Sequence, residues 1–172
     1  PLGKNGGLRG PNAAKEFDGR TFWMGTKDFF VYDGSIRVLP CDVLNHVMDD
    51  IDDNQGALVY AGANKLFGEI WWLYPSDGAT ECDKFVLYNA YENTWSFGDL
   101  ARTCYIGDSD LHTSPMAFGT DGYLYNHEVG VDGDAQAITS YLESGDIEIE
   151  EGGFMMLLSK LIPDFKRLTG TI

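Results

Sequence analysis

The sequence predicts a mainly β fold, with antiparallel meander sheets forming propeller-like blades and one short helix at about residues 41–52. Three observations carry this. Aromatic residues make up 13% of the chain, with four Trp, nine Tyr and ten Phe, and 21 Gly separate them into short segments. Such a composition favours strands and tight turns over helices. Asp-Gly and Gly-Thr pairs punctuate the segments at hairpin spacing. Several segments are also apolar on both faces. Successive strand side chains point to opposite faces, so these strands need a sheet above and a sheet below.

Residues 1–20 are rich in Gly, Asn and basic side chains and read as an extended arm or linker. Residues 21–135 read as the blades, with strands expected at 21–24, 29–32 and 36–39. Asp33-Gly34 marks the hairpin between the last two. Pro40 opens the helix, whose apolar stripe is Val43, Leu44, Val47, Met48 and Ile51. Further strands are expected at 57–61, 68–74, 84–89 and 94–97. Ile70-Trp71-Trp72-Leu73-Tyr74, Phe29-Phe30-Val31-Tyr32 and Phe85-Val86-Leu87-Tyr88 are the segments apolar on both faces.

A repeat supports blades. FWMGTKDFFVYDG (Phe22 to Gly34) and MAFGTDGYLYNHEVG (Met116 to Gly130) both read strand, Gly-Thr turn, aromatic strand, then Asp or Asn. Val59-Tyr60-Ala61-Gly62 is a partial third copy. Gly25 and Gly119 are 94 positions apart, about two blades at roughly 40–50 residues each. Because propellers close with roughly 4–8 blades, the ring is expected to be incomplete. Residues 136–172 read as an additional β segment continuing into sequence beyond this chain. There Asp146-Ile147-Glu148-Ile149-Glu150 alternates, and Phe154 to Leu158 is a bare apolar run that calls for a cover.

The formal charge is −15, and residues 103–159 hold eleven acids with no Lys or Arg. Duplex binding needs rows of cations to replace counterions, which argues against sequence-specific reading of nucleic acid. A wall past which DNA slides remains compatible with like charge. No apolar run is long enough to span a bilayer. Cys41, Cys82 and Cys104 form no CxxC pair, which argues against zinc and for buried free thiols.

The helix ends among Asp49, Asp50, Asp52 and Asp53, where acids oppose the helix dipole and call for a basic neighbour, such as an adjacent subunit. These four, with Asp146, Glu148 and Glu150, are the candidate assembly or channel-facing residues. Asp50, Asp52 and Asn54 have the start of a calcium-loop spacing. Gly56 comes one place late, however, and Ala61 stands where Glu is required. His127-Glu128 lacks a nucleophile or oxyanion turn, and Cys104 with His112 lacks a thiol-protease context. No catalytic, metal or cofactor residues are therefore assigned, and no enzyme activity is expected. Trp95, beside the turn at Glu92-Asn93, is the candidate exposed aromatic.

The segments FWMG, DFFVYDG, IRVLPCDV, GEIWWLYP, VLYNAYENTWSFG, GTDGYLYNHEVG and SYLESGDIEI, across about residues 10–165, resemble the tail nozzle or packaged-DNA-stabilisation proteins of short-tailed double-stranded DNA bacteriophages. The resemblance implies a β-propeller core in a six-fold homo-oligomeric ring. Such a ring contacts the adaptor and the fibres or spikes, retains the packaged genome and forms the DNA exit channel. It implies a virion tail protein assembled in the host cytoplasm, with no cofactor and with DNA passing unread. The alternatives are a carbohydrate- or receptor-binding propeller at the tail tip, or a tail-associated glycosidase using paired carboxylates.

Overall fold

A computed structural model describes residues 6–107, 112–133, 136–138 and 160. The chain divides into two units, Pro1–Gly130 and Val131–Ile172. In the second, the described residues include an antiparallel bridge between Gly133 and Gln136.

The first unit is mainly β, and its described residues form three antiparallel sheets that follow one another along the chain. The first contains β1 (Ala14–Phe17), β2 (Arg20–Met24), β3 (Phe29–Tyr32) and β4 (Ile36–Leu39) in that order. The second contains β5 (Tyr60–Asn64), β6 (Glu69–Tyr74), β7 (Lys84–Asn89) and β8 (Thr94–Asp99). The third is β9 (Arg102–Ile106), β10 (Met116–Gly119) and β11 (Leu124–Asn126), again paired in chain order. Each sheet is a simple meander, and β5 lies against both β1 and β9. The first strands of the three sheets therefore share one edge of the stack.

Two-faced burial is realised most fully in the second sheet. Ile70, Trp72 and Tyr74 of β6, with Val86 and Tyr88 of β7, pack against Phe22, Met24, Phe29 and Val31 of the first sheet. On the opposite face Leu73 joins Tyr105 and Ala117 of the third sheet, with Trp71 and Phe85 beside them. Trp71 stacks on Tyr105, their ring centroids 5.6 Å apart. Each fully buried side chain of this size contributes about 1.5–3 kcal/mol relative to exposure. Alternation in β6 thus joins three layers.

The far face of the first sheet is covered differently. Phe30 stacks on Trp23 at 5.4 Å. The Trp23 indole N–H donates to the carbonyl of Gly6, and Leu8 bridges to Gly25. Residues 6–17 of the expected arm are thus built into the fold, as cover for this face and then as β1. Asp18 and Gly19, at φ 51° and 70°, close β1 onto β2, the left-handed pair that a two-residue hairpin requires.

The helix is shorter than expected. α1 spans Leu44–Asp50, and its N-cap is Val43, without a side-chain bond. Ile51 takes extended angles and ends the helix, although it lies on the apolar stripe. A 3-10 helix, Asp53–Leu58, then occupies the start of the strand expected at 57–61. The repeat also needs correcting. Its two full copies are β2–β3 and β10–β11, strands two and three of their sheets. Val59–Gly62 instead runs into β5, a first strand, so the equivalent of those hairpins is β6–β7. Among the described residues no helix is long and apolar enough to cross a membrane.

Candidate functional site

The helix-end acids are largely engaged within the chain. Asp53 pairs with Arg9, whose side chain is buried and also donates to the carbonyl of Thr26 at 3.0 Å. Burial lowers the Arg9 pKa and Asp53 works against that shift, favouring the cation. Asp52 accepts from the backbone N–H of Asn54 at 2.8 Å and caps the 3-10 helix. Asp50 accepts from the Tyr74 hydroxyl at 3.2 Å. Burial, followed by the nearby Asp50 charge, pushes the Tyr74 phenol well above its ordinary value. Asp49 is exposed. Within the chain, Arg9 supplies a basic neighbour to Asp53. Asp146, Glu148 and Glu150 lie outside the described residues.

Trp95 is a packed aromatic. Its indole N–H donates to the carbonyl of Pro40 at 2.8 Å, and its ring lies 4.8 Å from Phe29 and 4.9 Å from Tyr88. Strand alternation places it on the face of β8 that meets the first sheet. The thiols also differ from expectation, because only Cys82 is fully buried while Cys41 and Cys104 are half-buried. Burial pushes Cys82 up to about 12 and Cys41 up to about 11, so both stay protonated at neutral pH.

Within the acidic stretch, Asp121 accepts from the Tyr125 hydroxyl and from the Tyr123 backbone N–H. These bonds, the Tyr125 hydroxyl first, hold its carboxyl below the usual range. The Arg102 guanidinium lies 3.9 Å from the Tyr125 ring centre. It also donates through Nε to His127 Nε2 at 3.4 Å. His127 meets the Tyr105 ring edge-on at 5.9 Å. Burial first, then the Arg102 charge, pushes the His127 pKa down. His127 therefore ties β9 to the end of β11 as a neutral ring.

The third sheet exposes its outer face. Ala117, Tyr105 and Tyr125 are directly paired and share the face turned to the second sheet. Their neighbours Ile106, Phe118 and Leu124 are 43, 41 and 47% exposed, with Met116 and Cys104 half-buried among them. This face has the apolar character of the one the second sheet presents to the third. A contiguous exposed apolar patch marks an interaction surface. Sequence reading missed it because β9 was not recognised as a strand.

No family model matches the chain, and no curated protein matches it.

Proposed function

We propose that the protein is a structural component of a phage virion tail, a part of the nozzle or hub ring that retains the genome and forms its exit channel. The observation that carries the structural part of this reading is the apolar outer face of the third sheet. Among the described residues it stands at the end of a series of meanders whose first strands share one edge. A further antiparallel sheet laid on Ile106, Phe118 and Leu124 would extend the stack as the third sheet extends the second. Radial repetition of such sheets is how propellers protect their strand edges.

The tail assignment rests on the resemblance across residues 10–165. The net charge of −15 supports it, since an acidic wall lets DNA pass without sticking. In this reading the partners are copies of the same chain in a six-fold ring, with the adaptor and the fibres or spikes. The protein acts by shape and assembly, without chemistry. Electron microscopy of the protein alone and mixed with tail proteins tests it. The expected result is a ring with an open centre. A strict monomer that never joins tails would overturn the proposal.

A further inference from the structure

We propose that the cleft formed by β1, the β5–β6 turn and the β7–β8 turn is a carbohydrate site that stacks a neutral pyranose ring on Tyr91. Tyr91 is 64% exposed, yet its ring is fixed from below. The ring centre lies 6.0 Å from that of Phe17, itself buried. Gly68 stands beneath the ring so closely that a Cβ there would come within 2.2 Å of it, and the backbone φ of +73° separately favours glycine. The turn that carries Tyr91 is tied in as well. The backbone N–H groups of Tyr91 and Glu92 both donate to Asn89 Oδ1 at 3.0 Å. Ala90 N–H donates to the Gly68 carbonyl at 2.7 Å. One face of the aromatic ring is thus held in place and the other is open, so stacking a ligand costs little ordering entropy.

The surrounding groups define the ligand. Glu16, Asp18 and Lys65 line a cavity of 290 Å³ together with Tyr91 and Phe17, near the lower end of ligand-pocket sizes. Glu16 is anchored by the Gly19 N–H, which donates to its Oε1 at 2.8 Å. Asp18 is held at φ 51° in the hairpin turn. Two carboxylates and one ammonium beside an aromatic face suit a ring that has C–H groups on one side and hydroxyl donors at its edge. Arg20 lies 3.8 Å from Asp18, so two carboxylates face two cations here and no excess charge favours an ionic ligand over a neutral one. A second cavity of 320 Å³ shares Glu16 and Lys65 and continues past Lys15, Tyr60 and Ile106, giving room for a second sugar unit. The cavity at Tyr91 shares no lining residue with the assembly face proposed above, and only the second cavity reaches that face, at Ile106.

Saturation-transfer NMR of the chain with glucose, galactose, N-acetylglucosamine and N-acetylgalactosamine tests the site. Transfer to at least one sugar is expected, with affinity on the order of millimolar. Tyr91→Ala should weaken it at least tenfold, Tyr91→Phe should preserve it, and Tyr123→Ala, another exposed tyrosine, should leave it unchanged. Glu16→Gln keeps the acceptor for Gly19 and leaves the Tyr91–Phe17 contact intact, so its expected severalfold loss cannot arise from lost packing. No transfer with any of the four sugars would overturn the proposal. So would transfer that survives Tyr91→Ala, in which case Tyr91 is only a cover for Phe17.

Discussion

The indole N–H of Trp72 donates to the carbonyl oxygen of Ala13 at 3.0 Å, inside the core between the first two sheets. The same carbonyl accepts from the backbone N–H of Met24. One oxygen therefore joins the segment before β1, the strand β2 and the centre of β6. Since Trp72 is wholly buried, the bond works in a medium where an unmade partner is costly.

Trp72→Phe should destabilise the protein by about 2–3 kcal/mol. Roughly 1 kcal/mol comes from the lost hydrogen bond and the rest from the space the smaller ring leaves. Ala13 retains its bond from Met24, which limits the loss. Urea denaturation measures it, and a change under about 0.5 kcal/mol would contradict this role.

Asp53 and Arg9 lead to a second expectation. Asp53→Asn removes the counter-charge from a guanidinium whose side chain is only 4% exposed. The cost should be about 1–2 kcal/mol, between that of a surface pair and that of a buried one. Asp49→Asn, at an exposed site on the same helix end, should change stability by less than about 0.5 kcal/mol. Parallel denaturation curves separate the two, and equal effects would show that the acids act only as a pooled charge.

Much of this architecture was legible in the sequence, and what was missed has physical causes. The aromatic strands β2, β3, β6 and β7 stand out because their burial is written on both faces. β1 was hidden because Ala14-Lys15-Glu16-Phe17 offers little apolar alternation, although Asp18-Gly19 after it is a hairpin signal. β9 was hidden because Arg102-Thr103-Cys104-Tyr105-Ile106 mixes polar and apolar residues on both faces. The Arg9–Asp53 pair joins residues 44 positions apart, and no local pattern announces such a contact. Trp95 beside a turn is the best candidate among the Trp for exposure until the first sheet is brought over it. Its cover depends on tertiary structure alone.

His127 should make the protein acid-sensitive. Its folded pKa lies below the ordinary value of 6.5, so the unfolded chain takes up the proton at a higher pH than the folded one. This contribution is complete above pH about 6.5 and is lost as the pH falls from there toward the folded pKa. Protonation would also set an imidazolium against Arg102, at the 3.4 Å contact. Thermal melts from pH 7.5 down to 5 should therefore fall more steeply in the native protein than in His127→Gln. Parallel slopes would remove His127 from the account.

Gly62 should not tolerate a side chain. A Cβ there would come within 2.4 Å of the Tyr105 ring, at the contact between β5 and β9. Either β9 moves away or the ring leaves its place on Trp71. Gly62→Ala should cost about 1–3 kcal/mol, as overpacking does. Near-ultraviolet circular dichroism would follow the Trp71–Tyr105 stack, and an unchanged spectrum with unchanged stability would refute the close approach.

Phe118→Asp tests the outer face of the third sheet as an assembly surface. Phe118 is exposed and its paired neighbours on that face are Cys104 and Leu124, so an added carboxylate is solvated in the isolated chain. Its stability should change by less than about 0.5 kcal/mol. In an assembly the same carboxylate would be buried against another sheet without a partner, costing several kcal/mol per interface. Repeated around a ring, that cost prevents closure. Light scattering should therefore show smaller species for Phe118→Asp than for the native protein. Val38→Asp, at an exposed apolar position on β4 of the first sheet, should assemble as the native protein does. If Phe118→Asp assembles normally, some other surface joins the subunits. If Val38→Asp fails equally, the added charge rather than this particular face is responsible.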